Sequence, residues 1–165
     1  MISLKNILVA TDFSEPSDAA LTYGRALAEK FDATLTVLNV VDNTVAMGVG
    51  MEGYVGNFPE LQRELQESAE RQLRALVGAD ESVRMRPITL TSNTPAASIV
   101  EHAKTASTDL IVMGTHGRGA VAHLLMGSVA EKVVRTAPCP VLTVRHPEHE
   151  FVVPDALVAA KAAEA

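Results

Sequence analysis

Gly114, Gly117, Gly127 and Ser128 stand in the spacing G-x2-G-x9-G-S, and this run holds the densest chemistry in the sequence. Glycines lack a Cβ, so a backbone can approach a ligand closely there. A helix opening near Ser128 would turn its first unpaired N–H groups and the positive end of its dipole toward that ligand. A phosphate is the natural guest, held by those N–H groups, by the Ser128 hydroxyl and by the charge of Arg118. Ser128 and Glu131 also spell an S-x-x-E capping box, so an ordinary capped helix behind a flexible loop is the competing reading. Asp12 is the second candidate. A carboxylate placed just after a short apolar run can accept hydrogen bonds from a ribose hydroxyl or a base, or assist a cation, although Asp in a turn as readily binds its own backbone.

Other chemistry finds less support. Gly48, Gly50 and Gly53 make a literal G-x-G-x-x-G, but Gly48 lies seven residues past Val41 and the next helix opens only after Pro59. Dinucleotide binding requires strand, turn and helix to be contiguous, so that motif is set aside. The sequence has no G-x-x-x-x-G-K-[ST], no nucleophile elbow, and no zinc-ligand spacing among His102, His116, His123, His146 and His149. His116 and His123 both lie within the glycine run, and His116, next to the expected phosphates, is the one to test. Cys139, between Pro138 and Pro140, is the single cysteine; it excludes an intrachain disulfide, reads as a small structural residue and fits a reducing compartment.

The 165 residues are 47% apolar, 21% charged and 4% aromatic, which suits one globular domain with an aliphatic core. Fourteen basic against twenty acidic residues give a net charge of −6, the wrong sign for sequence-independent nucleic-acid binding. No apolar run reaches the ~18 residues of a membrane span, and the first five residues lead into a strand without a basic leader. The expectation is a soluble, cytoplasmic chain with neither nucleic acid nor membrane as partner.

Elements that can position these residues follow from periodicity. Residues 6–10 (NILVA) form a continuous apolar run, as in a strand buried on both faces, here β1. Ser14 is a natural N-cap for α1, with Pro16 in the first turn and Ala20, Tyr23, Gly24, Leu27 and Phe31 at helical spacing. Residues 34–41 read as β2. Residues 60–77 read as α2, with Leu61, Leu65, Leu73 and Leu76 on one face and Gly78 closing it. Val83, Met85, Ile88 and Leu90 suggest β3, but Pro87 would delete a ladder bond in a central strand, so β3 belongs at an edge. Thr94-Pro95 opens α3, with Ile99, Val100 and Ala103 inward; residues 109–113 are β4, 128–135 α4 and 141–145 β5. The alternation predicts one doubly wound α/β domain, a five-stranded parallel sheet of order 3-2-1-4-5 with helices on both faces. Ligands bind such sheets beyond the strand carboxyl ends at the switch point, here between the loops after β1 and β4.

Thr11-Asp12-Phe13-Ser14-Glu15, the glycine spacing, and Pro140-Val141-Leu142-Thr143-Val144 resemble the universal stress protein family over residues 4–145, in its ATP-binding branch. The resemblance implies a Rossmann-like nucleotide-binding domain over residues 1–145 and leaves 146–165 as a tail, possible as a short helix. It also implies that Asp12 contacts the nucleoside, that Val40 meets adenine through its backbone and that Ala10 lines that pocket. Met113 and Gly114 would flank the ribose; Gly117, Arg118, Gly127, Ser128 and Val129 would hold the phosphates, with Mg²⁺ or Mn²⁺ accompanying ATP. One departure is Ser92-Asn93-Thr94-Pro95, where family members often have Gly-x-Pro; Asn93 tolerates the left-handed conformation such a turn uses. The loop at residues 48–56 is a second departure and a candidate lid.

The function expected is binding of ATP or AMP that biases conformation or partner choice in a stress response. Slow ATP hydrolysis or phosphate transfer at the same site is the alternative, weakened by the lack of an obvious water-positioning base. A phosphoacceptor receiver domain shares the acidic residue after β1, but this chain has no phosphorylatable Asp after β3 and Thr143 where a Lys is needed. An uncovered β5 edge (Val141, Leu142, Thr143, Val144) invites a homodimer, which Leu142→Pro is expected to break.

Overall fold

The computed structural model describes residues 2–42, 59–78, 82–116 and 126–145. In chain order the elements are β1 (Asn6–Ala10), α1 (Glu15–Phe31), β2 (Thr34–Val41), α2 (Pro59–Val77), β3 (Met85–Thr91), α3 (Pro95–Thr105), β4 (Leu110–Gly114), α4 (Ser128–Thr136) and β5 (Val141–Val144). All neighbouring strands pair in parallel, in the order β3-β2-β1-β4-β5. The fold is therefore the doubly wound α/β sheet that the alternation and Pro87 imply. The tail from residue 146 and the loop at residues 48–56 lie outside the described residues.

Alternation along the central strands divides the core in two. Ile7, Val9, Leu35 and Val37 turn to one face, where Ala20, Leu21 and Ala28 of α1 and Leu73 of α2 cover them. Leu8, Leu38 and Ile111 turn to the other, under Ala96, Ile99 and Ala103 of α3 and Ala130 and Val133 of α4. Helices before β3 thus share one face and those after it the other. This is what right-handed crossovers demand when the chain winds outward from β1 to β3 and then returns.

Pro87 fits because of the pleat. Leu35 donates to Arg84 C=O at 2.9 Å and Ser92 donates to Val41 C=O at 3.0 Å, so the even-numbered residues of β3 turn their backbone groups to β2. Pro87 therefore faces the open edge, and its missing N–H removes no ladder bond.

Four expectations need correction. Only the second half of α2 reaches the core, through Ala69, Leu73, Leu76 and Val77; Leu61 and Leu65 are 38% and 36% exposed. Nineteen helical residues span about 28 Å against about 23 Å for the seven of β3, so the helix overruns its strand by roughly a turn. On α1, Tyr23 is 43% exposed, and the inward stripe runs through Ser17, Ala20, Leu21, Gly24 and Ala28. The turn before α3 needs no left-handed Asn93: among the described non-glycine residues only Phe13, Asp32 and Ser107 have positive φ. Ser92 Oγ instead accepts the Thr94 N–H at 3.0 Å. Finally, the N-cap of α4 is Gly127, and Ser128 is the first helical residue without a side-chain cap bond, so the Ser128–Glu131 capping box is not formed. Glu131 donates its N–H to Gly127 C=O at 2.9 Å and sets its carboxylate 3.4 Å from Arg135.

Among the described residues, no helix is long and apolar enough to cross a membrane.

Candidate functional site

At the carboxyl end of the sheet the strands stop at different heights. Ala10, the last residue of β1, lies between Leu38 of β2 and Met113 of β4, while β2 runs on to Val41 and β4 to Gly114. The chain leaves β1 toward α1 on one face, and after β4 it returns as α4 on the other. A crevice opens between them, the switch point of the sheet.

The wall made by residues 11–14 is tightly tied. Thr11 donates its N–H to Leu38 C=O at 2.9 Å, and its carbonyl accepts Asn39 Nδ2 at 2.8 Å. Thr11 Oγ1 lies 3.0 Å from Ser17 Oγ and accepts the Phe13 N–H at 3.0 Å. Phe13 sits at φ 63, a left-handed conformation unusual for a bulky side chain and of the kind that concentrates at functional sites. Ser14 donates its N–H to Ser17 Oγ at 3.0 Å and to Asp12 Oδ1 at 3.2 Å, and its hydroxyl also donates to Asp12 Oδ1. Asp12 thus makes the turn contact that the sequence allows, and the same contacts hold its half-buried carboxylate at the rim of the crevice. Sequence reasoning placed Thr11 in the loop after β1 without a role and passed over Asn39 and Ser17. The only signal was a polar residue, Asn39, inside an otherwise apolar or β-branched strand.

On the opposite wall, Met113 is buried and Gly114 pairs with Val144. Thr115 donates to Val144 C=O at 2.9 Å, and Thr115 C=O accepts the Gly127 N–H at 2.7 Å, which pins the start of α4 one residue past β4. His116 Nδ1 lies 3.1 Å from Thr115 Oγ1. Ser128 and Val129 open the first turn of α4, whose leading N–H groups have no partner within the helix. Ala10, Asp12, Val40, Met113, Gly114, Gly127, Ser128 and Val129 therefore all lie at this end of the sheet; Gly117 and Arg118 fall outside the described residues.

The two glycines differ in what they answer to. A Cβ on Gly114 would stand 2.9 Å from Pro16 O and 3.0 Å from Pro16 C and Cβ, so packing of β4 against the first turn of α1 already demands glycine. A Cβ on Gly127 would meet Thr115 O at 3.4 Å and His116 Cα at 3.6 Å, ordinary contacts, and its φ is −70. Among the described residues, nothing in the fold requires glycine at 127.

Val40 is placed by strand parity. Thr34 donates to Lys5 C=O at 2.8 Å and Thr11 to Leu38 C=O at 2.9 Å, so Thr34, Thr36, Leu38 and Val40 turn their backbone groups toward β1. Beside Val40, however, β1 has already ended, and its N–H and C=O face the crevice.

Cys139 takes no part in this site; it precedes β5, at the other end of the sheet. Burial pushes its thiol up from the ordinary value, Asp109 adds to that, and a hydrogen bond with the Ile111 backbone opposes it. Alkylation by iodoacetamide at neutral pH is accordingly expected to be slower in the folded protein than in the unfolded chain. Because folding disfavours the thiolate, the thiol's contribution to stability is intact below its ordinary unfolded value and is lost as pH rises through the raised folded one. Equal alkylation rates in the two states would refute this.

Fold and crevice together define a class: a doubly wound α/β domain whose switch point lies between a carboxylate-bearing loop and a glycine-capped helix. The universal stress protein family matches residues 3–145, and the chain belongs to that family. It is 36% identical over 146 residues to a universal stress protein of Methanocaldococcus jannaschii, covering 88% of this chain and 85% of that one. The solved structure of universal stress protein UspA from Lactobacillus plantarum superposes with a TM-score of 0.70 at 28% identity, over 88% of this chain and all (100%) of that one. Two further solved structures are a universal stress protein in complex with cAMP and one from Archaeoglobus fulgidus in complex with dAMP. They are 21% and 20% identical, with TM-scores of 0.56 and 0.57, over 87% of this chain and 98% and 99% of theirs. At that identity the likeness is one of fold.

Proposed function

We propose that this protein binds adenine nucleotides, ATP or AMP, in the crevice between the carboxyl ends of β1 and β4, and acts as a ligand-responsive module in a stress or regulatory response in the cytoplasm. The observation that carries the reading is Gly127: among the described residues a Cβ there would meet only ordinary contacts, whereas a phosphate seated on the first turn of α4 would exclude a side chain. The Ser128 and Val129 N–H groups and the Ser128 hydroxyl would meet the phosphates, with Gly117 and Arg118 from the preceding loop. Asp12 would accept from the ribose, Met113 and Gly114 would flank it, and Ala10 would floor the pocket. Val40 offers one donor and one acceptor toward the crevice, complementary to adenine N1 and N6.

Among the described residues, no three His, Cys, Asp or Glu side chains converge on a metal position. Mg²⁺ or Mn²⁺ would accompany ATP chiefly through its phosphate oxygens, and no step of the reading runs through the ion.

Protein purified without added nucleotide, then denatured, should release an adenine nucleotide identifiable by mass spectrometry, and stripped protein should take up ATP or AMP in calorimetry. Neither release nor heat would sink the reading.

A second copy of the chain is the proposed partner of β5. Ile111 donates to Pro140 C=O at 3.0 Å and Thr115 to Val144 C=O at 2.9 Å, so residues 140, 142 and 144 bond to β4. Val141 and Thr143 then present their backbone groups outward. The opposite edge is interrupted by Pro87, whereas β5 itself carries no proline and, among the described residues, no strand pairs with its outer side. Leu142→Pro would break the sheet itself, so Thr143→Pro is the informative change. Sedimentation is expected to show a dimer that Thr143→Pro turns into monomer with little loss of melting temperature; a wild-type monomer would refute the edge pairing.

A further inference from the structure

Asn39 has an amide where the strand pattern calls for an aliphatic side chain. It shares its face of β2 with Leu35 and Val37, is 6% exposed, and sends Nδ2 sideways to Thr11 C=O at 2.8 Å. That carbonyl is the next acceptor of the β1–β2 ladder. Thr34 donates to Lys5 C=O at 2.8 Å and Thr11 to Leu38 C=O at 2.9 Å; continued by one step, the series would run from Val40 N–H to Thr11 C=O. That bond is not made among the described residues, and the Asn39 side chain holds the carbonyl instead.

We infer that Asn39 is a specificity-determining positioning residue: by occupying Thr11 C=O it ends the ladder one bond early and keeps the Val40 backbone available to the base of a bound nucleotide. The inference rests on the nucleotide reading above and adds how the base is selected. A buried amide in an apolar face is costly unless satisfied, so the device needs a bond as short as the one observed. Its benefit is a matched pair of groups. An N–H donor beside a C=O acceptor fits adenine, whose N1 accepts and N6 donates, and opposes guanine, whose N1 donates and O6 accepts. If Thr11 C=O were released, Val40 N–H could take it, and the crevice would lose the donor. Thr11 also ties, through Oγ1, to Ser17 and Phe13, so the loop carrying Asp12 has further anchors besides Asn39.

The test compares wild type, Asn39→Ala and Asn39→Ser, whose hydroxyl is too short to replace the amide. ATP, GTP and inorganic tripolyphosphate are titrated by calorimetry, and Val40 amide exchange is followed by NMR in the unliganded proteins. Wild type is expected to prefer ATP over GTP by about tenfold or more, the worth of one or two hydrogen bonds, and both variants to lose most of that preference. Tripolyphosphate affinity should stay within about twofold, because the start of α4 is untouched. Val40 N–H should exchange more slowly in the variants than in wild type, as it gains the Thr11 partner. An undiminished ATP preference, a parallel loss of tripolyphosphate affinity, or faster Val40 exchange in the variants would overturn the inference, leaving Asn39 as a structural amide. A wild type that binds no nucleotide would instead remove the reading beneath it, and slow exchange in the variants would then establish the ladder change alone.

Discussion

Gly127→Val is expected to weaken ATP and AMP binding by about a hundredfold or more, close to 3 kcal/mol, while the protein folds nearly as well as wild type. The two halves of that expectation come from separate observations. Stability is spared because Gly127 already has an extended N-cap backbone, φ −70 and ψ 156, which β-branched residues adopt readily, and because among the described residues a Cβ would meet only Thr115 O at 3.4 Å and His116 Cα at 3.6 Å. Losing glycine at an N-cap costs on the order of 1 kcal/mol, the upper bound on the fold's share. Binding is not spared. A phosphate oxygen accepting the first N–H groups of α4 must come within about 2.9 Å of them, and that leaves no volume for two methyl groups on the preceding residue. Gly127→Ala should fall between the two. Calorimetry with ATP and AMP, beside thermal melts of the same samples, separates the effects; full affinity in Gly127→Val would place the phosphates elsewhere.

The same substitution at Gly114 would be a poor probe. Its glycine is demanded by the Pro16 backbone at 2.9 Å, so loss of binding in a Gly114 variant could reflect nothing more than β4 pushed away from α1. One glycine motif thus combines a position where packing demands glycine with one where the described neighbours do not, and the spacing in the sequence does not distinguish them. Coordinates do, because the question is what a Cβ would touch.

Much of the architecture was legible because it depends on local, periodic facts. Alternating apolar runs and amphipathic stretches set the order of elements, and Pro87 placed β3 at an edge. Placement of the candidate residues at the strand carboxyl ends followed from topology. What could not be read depends on parity and on distant partners. Whether residue 142 or 143 faces the outer edge of β5 is decided by which amide pairs with β4, and no composition rule reveals it. The Asn39 amide meets a carbonyl 28 residues away in sequence. Ser128 looked like an N-cap because its spacing to Glu131 is right, but the Gly127 N–H bond to Thr115 C=O starts the helix one residue earlier. Leu61 and Leu65 carry the right period on a helix that outruns its strand. In each case the local pattern was sound, and a contact or a length beyond its window decided the outcome.

The second large effect concerns Gly24, where helix propensity and packing make opposite predictions. Gly24 lies inside α1, and replacing an interior helical glycine by alanine ordinarily gains about 1 kcal/mol. Here the new Cβ would stand 2.3 Å from Val9 Cγ2 and 3.4 Å from Leu35 Cδ1. Val9 is fully buried on the central strand, in register with Val37 on one side and Val112 on the other. Its branched side chain has one strongly preferred rotamer, and neighbours on both flanks limit its retreat. Either the valine leaves its rotamer or α1 lifts from the sheet. Lifting would also disturb the first turn, where Pro16 touches Gly114 and Ser17 holds Thr11 and Ser14. Overpacking of this kind costs typically 1–3 kcal/mol and outweighs the propensity gain. Gly24→Ala should therefore lower the melting temperature by several degrees, roughly 2–4 °C per kcal/mol in a chain of this size. The double variant Gly24→Ala, Val9→Ala should recover part of the loss relative to the sum of the single changes, because it removes the methyl that clashes. An unchanged or raised melting temperature in Gly24→Ala would mean that α1 rides on the sheet with slack, and that the close approach of helix and strand does not hold the Asp12 loop in place.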